Sequence, residues 1–406
     1  MSTVSPTTLD LTTPPVIKSI GKKALIVFAL GSVVALYLAF TNPAVFFRGY
    51  LISYMDWLGV CLGSMVIVMI RHMTGGGWGV IIRRILGASM RTWPLMVLLF
   101  APIFIWGVHF LYPWAQPVDR IADPAIREHL EKHGFILRDY LNVSGFRTRA
   151  VIYFAIWGLI SYLLTSWSKQ QDQPPVRDTS ARFKVVSAPG LIIYALTISF
   201  AAIDWVMSLN PSWVSTIYGL LFVAGELILA LSFAIVVERI LYNYRPMSIL
   251  LRPSFVHDHG KFLLTFIMVW AYFSFSQWLI IWAGNLPEEI TWYYRRLHGG
   301  WEYVGLFLVI FHFFVPFFIL LSRPFKRDVT KLVWLAAWML FMRYVELFWH
   351  IEPSFSETFT VTLADLAIPF AMGGLWVAYF CYNLNQLPLI SAYDATAQSV
   401  LEPEHE

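Results

Sequence analysis

Apolar residues run along this chain in long, nearly uninterrupted stretches separated by short polar joints. Ten such stretches fall at about 24–41, 49–70, 93–116, 149–168, 187–209, 213–242, 261–283, 301–322, 331–351 and 361–383. Each is close to or above the roughly 20 residues a helix needs to cross a bilayer. The pattern predicts an all-α integral membrane protein of about ten transmembrane helices. Two stretches are almost fused: Ser187–Leu209 and Trp213–Tyr242 are joined only by Asn210-Pro211-Ser212, which predicts a tight turn at one membrane face. That hairpin holds two carboxylates, Asp204 near the turn and Glu226 near mid-depth. An acid at bilayer depth costs about 2.5–3.5 kcal/mol on insertion scales, so such residues face a protein interior or a wet cavity.

Composition agrees: 58% of the residues are hydrophobic and 13% charged, over 406 residues, against about 25% charged in soluble domains. The formal net charge of +4 gives no argument for nucleic acid. The two cysteines, Cys61 and Cys381, lie in apolar runs and form no C-x-x-C series. That argues against a covalently attached haem, an iron–sulfur cluster or a thiolate zinc site on this chain. Many of the 18 tryptophans sit at run ends, as in interfacial belts.

Lys18, Lys22 and Lys23 precede the first run in the manner of a signal sequence, but no small-residue cleavage site follows, so the run is read as a retained first helix. With the N-terminus inside, the cytoplasmic segments hold 19 Lys and Arg against 9 outside, with Arg343 within a span, which places both termini inside. The domain reading is a tail at 1–20, a membrane domain at 21–388 and an acidic, disordered cytoplasmic tail at 389–406. One outer loop is long, 117–148, with a mixed-charge stretch in which Pro124–His133 is predicted as a surface helix. The inner loop Thr74–Gly79 is glycine-rich, but it lacks the Lys-Ser/Thr ending of a phosphate loop.

At about 1.5 Å per residue, Asp56, His109, Asp204 and Asp365 fall toward the outer ends of their spans, and Glu226 and His312 nearest mid-depth. Arg343, Glu346 and His350 share one helical face. Titratable groups spaced along a membrane interior are the usual parts of a proton relay. The candidate path is therefore Asp204 and Glu226 first, then Asp56, His109, Arg343, Glu346, His350 and Asp365. The plainer alternative makes Arg343–Glu346 a packing ion pair and His109 and His350 interfacial residues. It leaves Asp56, Asp204 and Asp365 as helix-end acids, and has His312 bond a carbonyl freed by Pro316. A single b-type haem on His109 and His350, and a secondary transporter with paired broken helices, are weaker readings.

Asp204-Trp205-Val206-Met207-Ser208-Leu209-Asn210-Pro211-Ser212-Trp213 through Gly219 and Phe275-Ser276-Gln277-Trp278 through Glu289 resemble the ActF subunits of alternative complex III. So do Gly299-Gly300-Trp301, Phe311-His312-Phe313 and Pro324-Phe325-Lys326-Arg327. The resemblance covers about 20–385. It implies an NrfD/PsrC-like fold of two four-helix bundles plus two flanking helices in a bacterial inner membrane. It also implies a quinol:electron-acceptor oxidoreductase whose iron–sulfur and c-type haem centres sit on other subunits, with an ActC-like sister beside this chain. No quinol-binding His/Asp set maps onto these residues, so quinol or menaquinol on this chain, a proton path, and a purely structural scaffold remain the alternatives.

Overall fold

The computed structural model describes residues 11–117, 119, 121, 124–176, 178–391, 393–395 and 397–398, without the side chains of Ala125, residues 133–138 and Glu288. No strand occurs among the described residues. The expectations on residues 1–10, on Arg120, Asp123 and Arg177, and on 399–406 lie outside this description.

Ten helical segments are long and apolar enough to cross a membrane: α1 (Pro15–Thr41), α2 (Pro43–Thr74), α3 (Trp78–Leu111), α4 (Val143–Gln170), α5 (Ser180–Leu209), α6 (Tyr218–Leu241), α7 (Pro253–Gly284), α8 (Trp301–Leu321), α9 (Val329–Ser354) and α10 (Leu363–Leu384). They mark a multi-pass membrane protein. Local chemistry fixes several of their ends. Asn42 accepts from the Val45 amide with Pro43 in the first turn, and Asn142 accepts from Gly145. Asn285 closes α7 in the left-handed region that Asn tolerates.

The helices α2 and α6 are apolar on all sides and lie at the centre, buried over most of their length. Each touches the other, α5 and α9, and α6 also packs on α7. Their close approach depends on glycine. A Cβ on Gly63 would stand 2.1 Å from the Glu226 carbonyl oxygen, and one on Gly225 would stand 2.2 Å from the Arg343 guanidinium carbon. On the outside, α1 lies along α10 through small residues: a Cβ on Gly31 would meet Ala371 at 2.8 Å, and one on Gly374 would meet the Ala24 carbonyl at 2.6 Å.

Four local expectations are corrected. The α5–α6 joint is not a three-residue turn, since residues 210–217 carry it. The helix of α5 ends at Trp205, Ser208 donates to the Asp204 carbonyl at 2.6 Å, and Trp213 tucks inward to stack on Trp292 at 4.6 Å. The third span begins with a helix at Trp78–Met90, where a polar joint was expected, because Arg83 and Arg84 find buried partners. The surface helix of the long loop runs farther, Pro124–Tyr140. The segment after Pro388 is ordered at its start: Leu389 and Ile390 are fully buried, and Asp394 pairs with Arg83 at 2.8 Å.

Prolines bend two spans through π turns, at Ile103–Gly107 after Pro102 and at Val309–Phe314 before Pro316. The carbonyls there find donors: Arg147 reaches Phe104 and Ile105 at 2.9 and 3.3 Å, and Trp338 reaches Phe311 at 3.0 Å. The glycine contacts give a direct test. Gly63→Ala is expected to lower stability in detergent by about 1–3 kcal/mol, the usual cost of overpacking. Gly87→Ala, with no atom outside its own helix backbone within 4 Å of the added Cβ, is expected to be neutral or slightly stabilising. Paired thermal melts measure the contrast.

Candidate functional site

The buried polar side chains gather where α2, α5, α6, α7, α8 and α9 meet. Arg343 points from α9 across Gly225 of α6, with its guanidinium 5.3 Å above the Phe222 ring. One turn along α9, Glu346 holds Arg343 Nη1 at 2.7 Å through Oε2. Its other oxygen accepts from Trp270 Nε1 at 2.6 Å and lies 3.7 Å from His350 Nε2. His312 stacks flat on Trp270 at 4.1 Å and brings Nδ1 to 3.8 Å from Glu346. His350 Nδ1 is 3.4 Å from the Tyr218 hydroxyl. The expected bond from His312 to a freed carbonyl is not made. Trp338 takes the neighbouring carbonyl, and the imidazole turns inward instead.

On the other side of Arg343, Glu226 accepts from the Tyr194 hydroxyl. A Cβ on Gly59 would touch the Glu226 Cγ at 3.3 Å, which places α2 directly against this acid. Asp56, one turn earlier on α2, lies within electrostatic reach of Arg343, as Glu226 does. Asp56 Oδ1, Glu226 Oε1, Arg343 Nε and both ring nitrogens of His312 are buried without a hydrogen-bond partner among the protein atoms. A second layer leads toward the span ends. Tyr344 donates to the Asp365 carbonyl at 2.7 Å, within electrostatic reach of Asp56, Asp365 and Glu352. Glu352 in turn lies 3.7 Å from the partly exposed Arg48.

Asp56, Glu226, Arg343, Glu346 and His350 thus come together, and Tyr344 ties the backbone carbonyl of Asp365 to their margin. Asp365 is also the acid of a capping box: its carboxylate accepts from the Thr362 amide at 2.8 Å and hydroxyl at 2.7 Å. Asp204 lies elsewhere. Arg149 of α4 grips it in a two-pronged pair at 2.8 and 2.9 Å, and the Tyr153 hydroxyl adds a bond at 2.8 Å. Arg149 is itself fixed by the Tyr140 ring at 3.9 Å. His109 is exposed and bonds the Ala115 carbonyl at 3.1 Å. It shares no partner with His350, which is buried against Tyr218 and Trp292.

Several partners escaped sequence reading. Arg149 stands at the margin of its span and reads as a loop cation, although its distance from Asp204 in sequence hides only the pairing. Tyr194, Tyr218 and Trp270 carry no signal in an aromatic-rich chain. Arg296, between α7 and α8, stacks 3.5 Å over Trp292 and donates to the carbonyls of Trp349 and His350 at 3.1 and 2.6 Å, capping the end of the helix that carries the site. Burial pulls its proton affinity down, opposed by the nearby hydroxyls of Tyr218 and Tyr293.

No protein-family model matches this chain, and no curated protein matches it. Its class therefore rests on the ten apolar helices and the buried network themselves.

The Arg149–Asp204 pair is expected to be structural. Breaking it with Arg149→Ala should cost about 3–5 kcal/mol, as for other buried pairs that lose one partner. The double variant Arg149→Met, Asp204→Leu should recover much of that loss. A double-mutant cycle on thermal stability measures the coupling.

Proposed function

We propose that this chain is an integral-membrane subunit of a quinol-oxidising, electron-transferring complex of the alternative complex III kind. It has no redox centre of its own and offers protons a hydrated carboxylate route between membrane interior and outer face. The single observation behind the reading is the charge count around Arg343. One guanidinium pairs with Glu346 at 2.7 Å and has the carboxyl groups of Asp56 and Glu226 within electrostatic reach, in a site closed to solvent. Carboxyl groups outnumber the one arginine, and His312 and His350 stand 3.8 and 3.7 Å from Glu346, so the set is rich in groups able to exchange protons. The unpaired oxygen and nitrogen atoms are positions for bridging water. Asp365, Tyr344, Glu352 and Arg48 supply the outward leg.

The arrangement implied by the resemblance suits the helix contacts. In it, α2–α5 and α6–α9 are two four-helix bundles, α1 and α10 flank them as a pair, and both termini are cytoplasmic in a bacterial inner membrane. An ActC-like sister subunit packs alongside, and the charged 117–148 loop meets the iron–sulfur and c-type haem subunits. Asp204 then serves as the pin between α4 and α5 rather than as a relay member.

A second reading, a quinol-binding subunit, is favoured by one feature. An apolar groove of about 570 Å3 lies between α8, α9 and α10, lined by Tyr303, Phe307, Phe341, Tyr344, Phe348 and Phe359, with Asp365 at its edge. Its volume is in the range of small-molecule sites. Quinone photo-crosslinking followed by peptide mapping separates the two: label on these aromatics favours the second reading.

For the first, Glu226→Gln keeps a partner for Tyr194 while removing the titrating oxygen. In the assembled complex reconstituted into liposomes, the variant is expected to lower the protons released per electron during quinol oxidation. An unchanged ratio contradicts the relay.

A further inference from the structure

At the span ends away from Asp365, four arginines converge, and the described residues supply too little negative charge to match them. Arg71 leaves α2, Arg83 and Arg84 lie on the first helix of α3, and Arg91 follows that helix. Among the described residues, two carboxylates answer them. Asp394 sits 2.8 Å from Arg83 and 3.6 Å from Arg71, and Asp172 pairs with Arg84. Ser391 accepts from both Arg83 and Arg84, and Arg91 donates to the Asn383 carbonyl. The Nε atoms of Arg71, Arg84 and Arg91 remain buried without a partner. Arg71 and Arg84 are each more than nine-tenths buried. Uncompensated guanidinium charge in such surroundings is strongly unfavourable, and an anion from outside the chain relieves it.

A place for that anion exists. Arg83, Arg84, His72 and Arg91 line a small chamber of about 20 Å3, enough for a water molecule. Arg91, Thr165 and Leu387 are shared with an open groove of about 640 Å3. The groove runs between Trp93 of α3, the α4 face Ser161, Tyr162, Thr165 and Lys169, and the α10 face Tyr379, Tyr382 and Asn383. Its described carboxylate, Asp172, is engaged by Arg84, and burial raises that acid's pKa against the pull of Arg84.

We infer that this groove binds the phosphate headgroup of an anionic phospholipid, with Arg91 and Lys169 as its cationic contacts and one acyl chain lying along Tyr162 and Tyr382. Three observations choose a lipid over a soluble anion. The main walls are three membrane-crossing segments, met at the rim by residues just past the span ends, Asp172, Gln173 and Gln386, which is where a headgroup sits. Tyr162 and Tyr382 are 66% and 59% exposed at its mouth, where amphipathic rings mark headgroup depth. Lys169 and Tyr162 are two turns apart on one face of α4, about 10 Å, which matches a charged head and the start of an apolar chain. Basic pockets between membrane helices recognise anionic headgroups on the same grounds. The inference is independent of the proton route and of the complex to which the chain belongs.

The full-length chain, purified in a neutral detergent, is titrated with phosphatidylglycerol, with phosphatidylcholine of the same acyl chains, and with inorganic phosphate. Native mass spectrometry reads the adducts, and thermal melts read the stabilisation. Phosphatidylglycerol is expected to bind and stabilise in preference to phosphatidylcholine. Lys169→Gln should weaken that preference roughly fivefold, the worth of one basic residue at a membrane surface. Arg91→Gln with Lys169→Gln should weaken it further, and Lys331→Gln, an exposed lysine elsewhere, should leave it unchanged. Because Arg91 also ties down Asn383, Lys169→Gln alone decides if the double variant fails to fold. Equal binding of the two lipids, full preference retained in Lys169→Gln, or equal stabilisation by inorganic phosphate overturns the inference. So does tight lipid binding that emerges only after truncation beyond Gln398, which would give the groove to the chain's own terminal acids.

Discussion

Everything at the centre of this molecule answers to one guanidinium. Arg343 is fully desolvated on α9, and an isolated charge in such surroundings costs several kcal/mol unless it is paired. The pairing dictates the packing around it. Gly225 has no side chain because the guanidinium occupies that space, and Gly59 and Gly63 bring α2 close enough for the Glu226 backbone and side chain to sit beside it. Glu346 supplies the direct partner, and Trp270, His312 and His350 crowd around its two oxygens. The contact among α2, α6 and α9 is therefore an electrostatic solution as much as an apolar one.

The polar groups outside that centre divide by chemistry. Arg149 with Asp204 is a pair whose atoms point at each other, with both carboxylate oxygens taking bonds. Such a pair fixes one helix against another and leaves little capacity for anything else. The Arg343 network differs because several of its oxygens and nitrogens point at no protein donor or acceptor. Buried polar groups without partners are uncommon in native proteins and mark positions for water or titration. That difference, rather than the presence of acids in apolar helices, separates a candidate route from structural pins.

Much of this was legible in the sequence because bilayer thickness and helix rise leave few alternatives. The ten spans follow from run length alone, and the shared face of Arg343, Glu346 and His350 follows from helical spacing. What escaped was partnership at long sequence separation. Asp204 reads as a leading relay acid, and nothing near it in sequence reveals Arg149 2.8 Å away. His312 reads as serving Pro316, since nothing local reveals that a π turn rotates it onto Trp270 while Trp338 takes the free carbonyl. Arg83 and Arg84 read as loop charges because the acids that let them enter a buried helix lie far along the chain, at Asp172 and Asp394. The segment after Pro388 reads as a free tail for the same reason.

The account turns on water reaching the Arg343 network. X-ray hydroxyl-radical footprinting labels side chains that stand next to bound water, whatever their exposure to bulk solvent. Tyr194, Tyr218 and Trp270 border the network, whereas Tyr54, Tyr112 and Trp301 are at least as buried and bond backbone carbonyls elsewhere. The account predicts labelling of the first three well above that of the second three in the intact protein. Equal, background labelling of both sets would mean a dry ion cluster and would contradict a proton route through this chain.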